Sequence, residues 1–157
     1  MGRKMDKIQK LIINCIVLIS FSSAIFTDEL KDIIDSKKSS FEEIALDIWN
    51  YAELGYLETK SSNLLASELE ENGFMIQKGV AGIPTSFIAE FNNGGPVIGI
   101  LGEFDALPGL AQTNSPFKEV ANNETGAGHA CGHHLFGAAS AWAAVVIKEW
   151  IEENNIK

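Results

Sequence analysis

The sequence predicts an α/β fold, and three observations carry that reading. Helical periodicity brackets a central run of strand-like residues; the last of these, Val97-Ile98-Gly99-Ile100-Leu101, is apolar on both faces; and two carboxylates, Glu103 and Asp105, stand just past its end. A strand apolar on both faces suits the interior of a sheet covered by helices. Open α/β sheets place ligand crevices at the carboxyl ends of such strands. With 157 residues and 46% hydrophobic content, the chain has room for one ordinary domain with its own core.

Taken in order, the N-terminus is a separate object. Arg3, Lys4, Lys7 and Lys10 precede an apolar run from Leu11 to Ile19, followed by Ser20-Phe21-Ser22-Ser23-Ala24. That order of basic, apolar and small residues predicts a signal peptide over 1–24 and a secreted or periplasmic protein. A retained membrane anchor is the other reading, although the run is short and Asn14 interrupts it. Cleavage after Ala24 would remove Cys15 and leave Cys131 as the sole thiol, so no intramolecular disulfide is expected.

Ser40 and Glu43 form an S-x-x-E capping box, and Phe41, Ile44, Ala45, Ile48, Trp49 and Ala52 follow a helical period. This helix is expected to end near Leu54, at Gly55. A second helix starts at Thr59 or Ser61, turns Leu64, Leu65 and Leu69 to a core, and stops at Asn72-Gly73. Strands are expected over 74–78 and 85–91, then a turn at 92–95 and the apolar strand 96–101. Residues 112–123 read as a polar loop containing Pro116. A long helix begins near Leu135 and carries Leu135, Ala138, Ala139, Trp142, Val145, Val146 and Trp150 on its inner face.

The chemistry concentrates before that helix. All three histidines and Cys131 fall between positions 129 and 134, in Gly128-His129-Ala130-Cys131-Gly132-His133-His134. Cys131 and His133 flank a glycine, which permits the tight curvature needed for both side chains to converge on one ion. Thiolate with imidazole suits zinc first, with manganese or cobalt as lesser fits. A catalytic zinc needs about three protein ligands and a water, so Asp105 or Glu103 would have to supply oxygen directly or hold an imidazole from behind. Structural readings stand beside these: a buried thiol at Cys131, a helix-start residue without ligand role at His134, a turn-opening Asp105 before Pro108, and a solvated Glu103.

Other classes fail on charge or spacing. The formal net charge of −9 and the scattered basic residues exclude a nucleic-acid partner. A dinucleotide fingerprint would need glycine where Cys131 stands. A thioredoxin-like pair lacks its second cysteine, and a c-type haem site lacks its C-x-x-C-H string. A Cys-His protease would draw its histidine from elsewhere in the chain, and none exists outside the cluster.

Gly102-Glu103-Phe104-Asp105-Ala106-Leu107-Pro108-Gly109 with Gly128-His129-Ala130-Cys131-Gly132-His133 closely resembles the amidohydrolase branch of the zinc metallopeptidases that includes aminoacylase and carboxypeptidase G. Residues 49–55 and 82–87 fit the same family, and the resemblance covers about residues 40–150. It implies the N-terminal part of a three-layer α/β/α metallopeptidase catalytic domain with a mixed sheet, over residues 25–157. It further implies a two-metal site, zinc first with manganese or cobalt as alternatives, in which Cys131 and His133 are ligands and Asp105 is the orienting catalytic carboxylate. Glu103, His129 and His134 would stand behind the ligands; position 134 is often Asp or Asn in the family. The implied substrates are N-acyl amino acids or dipeptides, including those of the p-aminobenzoyl-glutamate kind, and the implied full-length protein is a homodimer. Family members are longer, so the general-base glutamate, the remaining ligands and the lid and dimerisation domain are expected beyond Lys157. On that expectation the chain is an incomplete piece, inactive alone. The alternative is a naturally truncated, non-catalytic interaction protein.

Overall fold

The computed structural model describes the backbone of residues 7–156 and the side chains of residues 29–156. Arg3 and Lys4 of the expected signal peptide lie outside the described residues, as do the side chains of its apolar run. Among the described residues no helix is long and apolar enough to cross a membrane. The chain divides into two compact units, Met1–Ser36 and Lys37–Lys157.

Backbone from Lys7 to Tyr51 is helical (α1). In the first unit this helix carries an i,i+4 ion pair, Lys31 Nζ to Asp35 Oδ2 at 2.6 Å, and Ser36 Oγ donates to the Ile33 carbonyl at 2.7 Å. Ser39 and Ser40 lie inside the helix, contrary to the helix start expected at Ser40. The physical reason is that a capping side chain serves only amides that lack a carbonyl one turn earlier. Here the preceding residues are already helical. The C-terminal end also comes early, at Tyr51, with Ala52 at φ 43°.

In the second unit, Phe41, Ile44, Ala45 and Ile48 of α1 form one buried stripe at the helical period. Helix α2, Thr59–Glu71, adds Leu65 and Leu69. It ends where Asn72 and Gly73 predict, Gly73 at φ 86° and the Phe74 amide donating back to the Leu69 carbonyl at 3.0 Å. Ala138, Ala141 and Val145 of the last helix close this core, and Trp142 stacks on Phe41 with ring centroids 6.1 Å apart. Burying each large aliphatic side chain contributes about 1.5–3 kcal/mol.

Strand β1, Met75–Lys78, pairs antiparallel with β2, Phe87–Glu90, from Met75↔Glu90 to Lys78↔Phe87. A short 3-10 turn at Val80–Gly82 joins them. The ladder is locked to α2 through buried polar groups: Ser62 Oγ donates to the Thr85 carbonyl at 2.7 Å, and Thr85 Oγ1 to Glu58 Oε2 at 2.6 Å. Two-residue strands β3, Leu107–Pro108, and β4, Ala127–Gly128, form a second antiparallel pair, and Leu54 bridges Ala106 in parallel. Helix α3 runs His133–Glu153. The α/β class therefore stands, with helices over short ladders.

Two expectations are corrected. Residues 96–101 form no strand; Val97 is 101% exposed, and Ile98, Ile100 and Leu101 are exposed too. An interior strand exists only when neighbours satisfy both its edges, and among the described residues nothing pairs with it. On α3, Leu135 and Ala139 face outward, and the inward stripe is Gly137, Ala138, Ala141, Val145 and Val146. The helix starts at His133 rather than Leu135, and the buried positions follow its packing against Phe41 and Leu65.

Candidate metal centre

The segment carrying the carboxylates is anchored to backbone at its end. The Ala106 amide donates to the Glu53 carbonyl at 2.7 Å, beside the Leu54–Ala106 bridge. Immediately after, β3 pairs with β4 in the register Leu107↔Gly128 and Pro108↔Ala127. This ladder brings two distant parts of the sequence together, one ending at Asp105 and one leading to His133. Ala52, Ala106 and Ala127 form a small buried cluster beneath it.

Beyond β4 the chain turns sharply into α3. Gly132 sits at φ 82° and ψ 20°, a left-handed conformation that glycine adopts without steric cost. Its amide donates to the His129 carbonyl at 3.3 Å, and its own carbonyl accepts from Leu135 and Phe136. His133 is thus the first helical residue, aimed back at the carboxylate segment.

There it meets both carboxylates. His133 Nδ1 lies 2.7 Å from Asp105 Oδ1, and His133 Nε2 lies 3.0 Å from Glu103 Oε2. The spacing of Glu103 and Asp105, two residues apart on extended chain, puts both side chains on one side. The side chains are 26%, 32% and 50% exposed for His133, Asp105 and Glu103, so the group is open to an incoming ion. One donor atom from each of the three lies within 4.8 Å of the others, and this is the grouping of metal-capable side chains found among the described residues. An imidazole nitrogen with two carboxylate oxygens fits a divalent cation of borderline hardness.

The other expected site residues are placed elsewhere. Cys131 is exposed and is not a member of this group. His129 is 3% exposed, and its Nε2 meets the Ile48 carbonyl of α1 at 3.0 Å. His134 packs edge-on against Trp49, with centroids 5.0 Å apart, and 4.9 Å from His129. His129 Nδ1 and His134 Nδ1 are both closed off from solvent without a hydrogen-bond partner. Desolvation lowers the pKa of His129, opposed by its bond to the Ile48 carbonyl, and lowers that of His134, with the neighbouring His129 adding to the effect. These two histidines are the aromatic filling behind the turn.

Sequence reasoning missed Glu53, whose carboxylate accepts from the Lys60 and Ser61 amides and the Ser61 hydroxyl, at 2.8–3.0 Å. It caps α2 from outside that helix, and the local S-x-x-E pattern gives no signal for such a distant cap. It also missed Trp49 as the wall against which His129 and His134 rest, because its helical spacing reads equally well as core. A cavity of about 630 Å³ is lined by Asn50, Tyr51, Glu53, Lys60 and residues 122–125 and contains none of the clustered trio.

No family model matches the sequence. Among curated proteins, the chain is 40% identical over 124 residues to a p-aminobenzoyl-glutamate hydrolase subunit of Escherichia coli, covering 79% of this chain and 26% of that protein. It is 34% identical over 105 residues to N-acetylcysteine deacetylase of Bacillus subtilis, covering 66% of this chain and 27% of that protein. Hippurate hydrolase of Campylobacter jejuni is 31% identical over 104 residues, covering 66% of this chain and 26% of that protein. The chain spans about a quarter of the length of the curated relatives it matches.

Proposed function

Because the chain belongs to the amidohydrolase family represented by these relatives, we propose that it serves a metal-dependent hydrolase of amide bonds in N-acyl amino acids or dipeptides, p-aminobenzoyl-glutamate among them. The observation that carries this reading is His133 held between Asp105 and Glu103. Zinc is the ion proposed first, with manganese and cobalt behind it. His133 Nε2 and Glu103 would face the ion, and Cys131, which stands outside this grouping, would have to turn its exposed side chain toward the ion to add a thiolate. A divalent ion there supplies Lewis acidity toward an amide carbonyl and acidifies water.

The chain's own residues have distinct tasks in this proposal. Asp105 accepts from His133 Nδ1–H, fixes the tautomer, and leaves Nε2 to act as donor toward the ion. Ala106, tied to Glu53, keeps Asp105 from swinging away. Gly132 sets the angle at which His133 enters α3. Further ligands and the general base are proposed to come from outside these residues, so the chain alone would bind zinc weakly and hydrolyse nothing. Export through residues 1–24 and homodimerisation of the whole protein belong to the same proposal.

The test combines calorimetric zinc titration of the metal-stripped chain with sequencing of the locus across the Lys157 codon. We expect weak zinc binding that His133→Ala abolishes, and release of p-aminobenzoate by the locus's product that the same change stops. Amide hydrolysis indifferent to His133→Ala would overturn the assignment. A second reading, a non-catalytic interaction protein, draws on the exposed run Val97–Leu101. A monomer at all concentrations in sedimentation experiments would count against it.

A further inference from the structure

We propose that Gly137 is a positioning residue for the metal centre: its missing side chain lets the segment 103–105 lie against α3 closely enough for both carboxylates to reach His133. The proposal rests on the reading of His133, Glu103 and Asp105 as metal-holding groups. Gly137 lies one turn beyond His133, and Ser140 a further turn on, so the three share one face of α3. That face runs along residues 101–105. At its far end Ser140 Oγ donates to the Leu101 carbonyl at 2.7 Å. In the middle, a Cβ built on Gly137 would meet the Glu103 carbonyl oxygen at 2.8 Å, Phe104 Cβ at 3.1 Å and Leu65 Cδ1 at 3.4 Å. At the near end, His133 meets Asp105 and Glu103.

The obstacle at 2.8 Å is a backbone carbonyl, which cannot rotate out of the way as a side chain does. Either the segment or the helix must shift, and the residue pushed is the one whose carboxylate faces His133 Nε2. Gly102 answers from the opposite side, where an added Cβ would lie 3.4 Å from Gly137 Cα and 3.2 Å from Ser140 Cβ. Two facing glycines therefore allow backbone to approach backbone. Helix propensity alone favours alanine over glycine in a helix interior, as at the neighbouring Ala138, Ala139 and Ala141. Close approach is the reason for the exception.

The test compares Gly137→Ala with Gly99→Ala, a change in the same extended stretch where an added Cβ meets nothing within 4 Å. Two readouts are used on the full chain: zinc affinity, and the imidazole nitrogen NMR shifts of His133 without metal at one fixed pH. Gly137→Ala is expected to weaken zinc binding roughly tenfold, as loss of a ligand's outer support does. It should also move the His133 shifts toward those of an imidazole lacking carboxylate partners, and Gly99→Ala should do neither. His133 shifts like wild type in a folded Gly137→Ala chain overturn the proposal, whatever the zinc affinity. A wild-type chain that binds no zinc defeats the metal reading alone, since the metal-free shifts still decide the positioning claim. Should Gly137→Ala fail to fold by circular dichroism, Ser140→Ala carries the test: a smaller shift in the same direction supports the proposal, and wild-type shifts overturn it.

Discussion

His133 and His134 are neighbours at the start of one helix, and the fold gives them opposite surroundings. His133 leans toward two carboxylates in a group open to solvent, with polar partners on both ring nitrogens. His134 leans the other way, onto Trp49 and the buried His129, and its Nδ1 has no partner at all. Adjacent helix positions point about 100° apart, which here is enough to separate an ion-accepting face from a packed one. The same side chain is a candidate ligand in one place and an aromatic plug in the other. Which it becomes is decided by what the neighbouring elements bring to it: the segment ending at Asp105 for the first, and the end of α1 for the second.

The change expected to matter most tests the ligand side. His133→Ala should reduce zinc affinity by roughly 100-fold or more, about 3 kcal/mol of binding, while leaving the thermal midpoint of the metal-free chain within a few degrees. Calorimetry and differential scanning fluorimetry on one preparation measure both. On the packed side the pattern should reverse. His129→Ala removes a nearly buried ring and the contact to the Ile48 carbonyl, and should destabilise the fold by about 2–3 kcal/mol by denaturant titration. If His129→Ala instead strips zinc binding from a stably folded chain, the division into two faces fails. Asp105→Asn probes the boundary between them, because the amide keeps its size but can present N–H to His133 Nδ1. Zinc affinity should fall about tenfold with little change in midpoint, as for other partners that orient a ligand.

The place of the site was legible in the sequence, and the reasons for the failures are physical. The crowding of histidines, the carboxylates past an apolar run, and the glycine before His133 all pointed to the place where Glu103, Asp105 and His133 meet. The C-terminal end of helix α2 was readable, since Asn72 and Gly73 act through local backbone chemistry, whereas its start is capped from outside by Glu53. What could not be read was anything set by non-local contact. The Ser40 capping box is locally sound yet sits inside α1, because helix continues on its N-terminal side. Residues 97–101 have strand composition and no strand partner among the described residues. The separate fates of His129, His133 and His134 depend on Ile48, Trp49 and Asp105, which lie far from them in sequence.

The smallest effect expected is also the one that isolates the packed face from the rest of the molecule. His129 and His134 both have pKa values lowered below 6.5, chiefly by desolvation. In the unfolded chain each would titrate near 6.5, so as pH falls through that value the unfolded state takes up protons that the folded state refuses. Stability from keeping these rings neutral is therefore fully present above about pH 6.5 and declines as pH drops toward their folded values. The midpoint should fall by a few degrees between pH 7.5 and 5. Carboxylates begin to titrate at the lower end of this window, so the absolute slope is not diagnostic and the comparison must be internal. His134→Phe keeps an aromatic ring beside Trp49 and removes one of the two titrating groups. Its midpoint should vary less with pH than that of wild type, whereas His133→Ala, which removes only the smallest of the influences on the His129 pKa, should keep most of the wild-type slope. An equal slope in His134→Phe and wild type would mean that the two rings are not the neutral pair that separates this face from the carboxylate side.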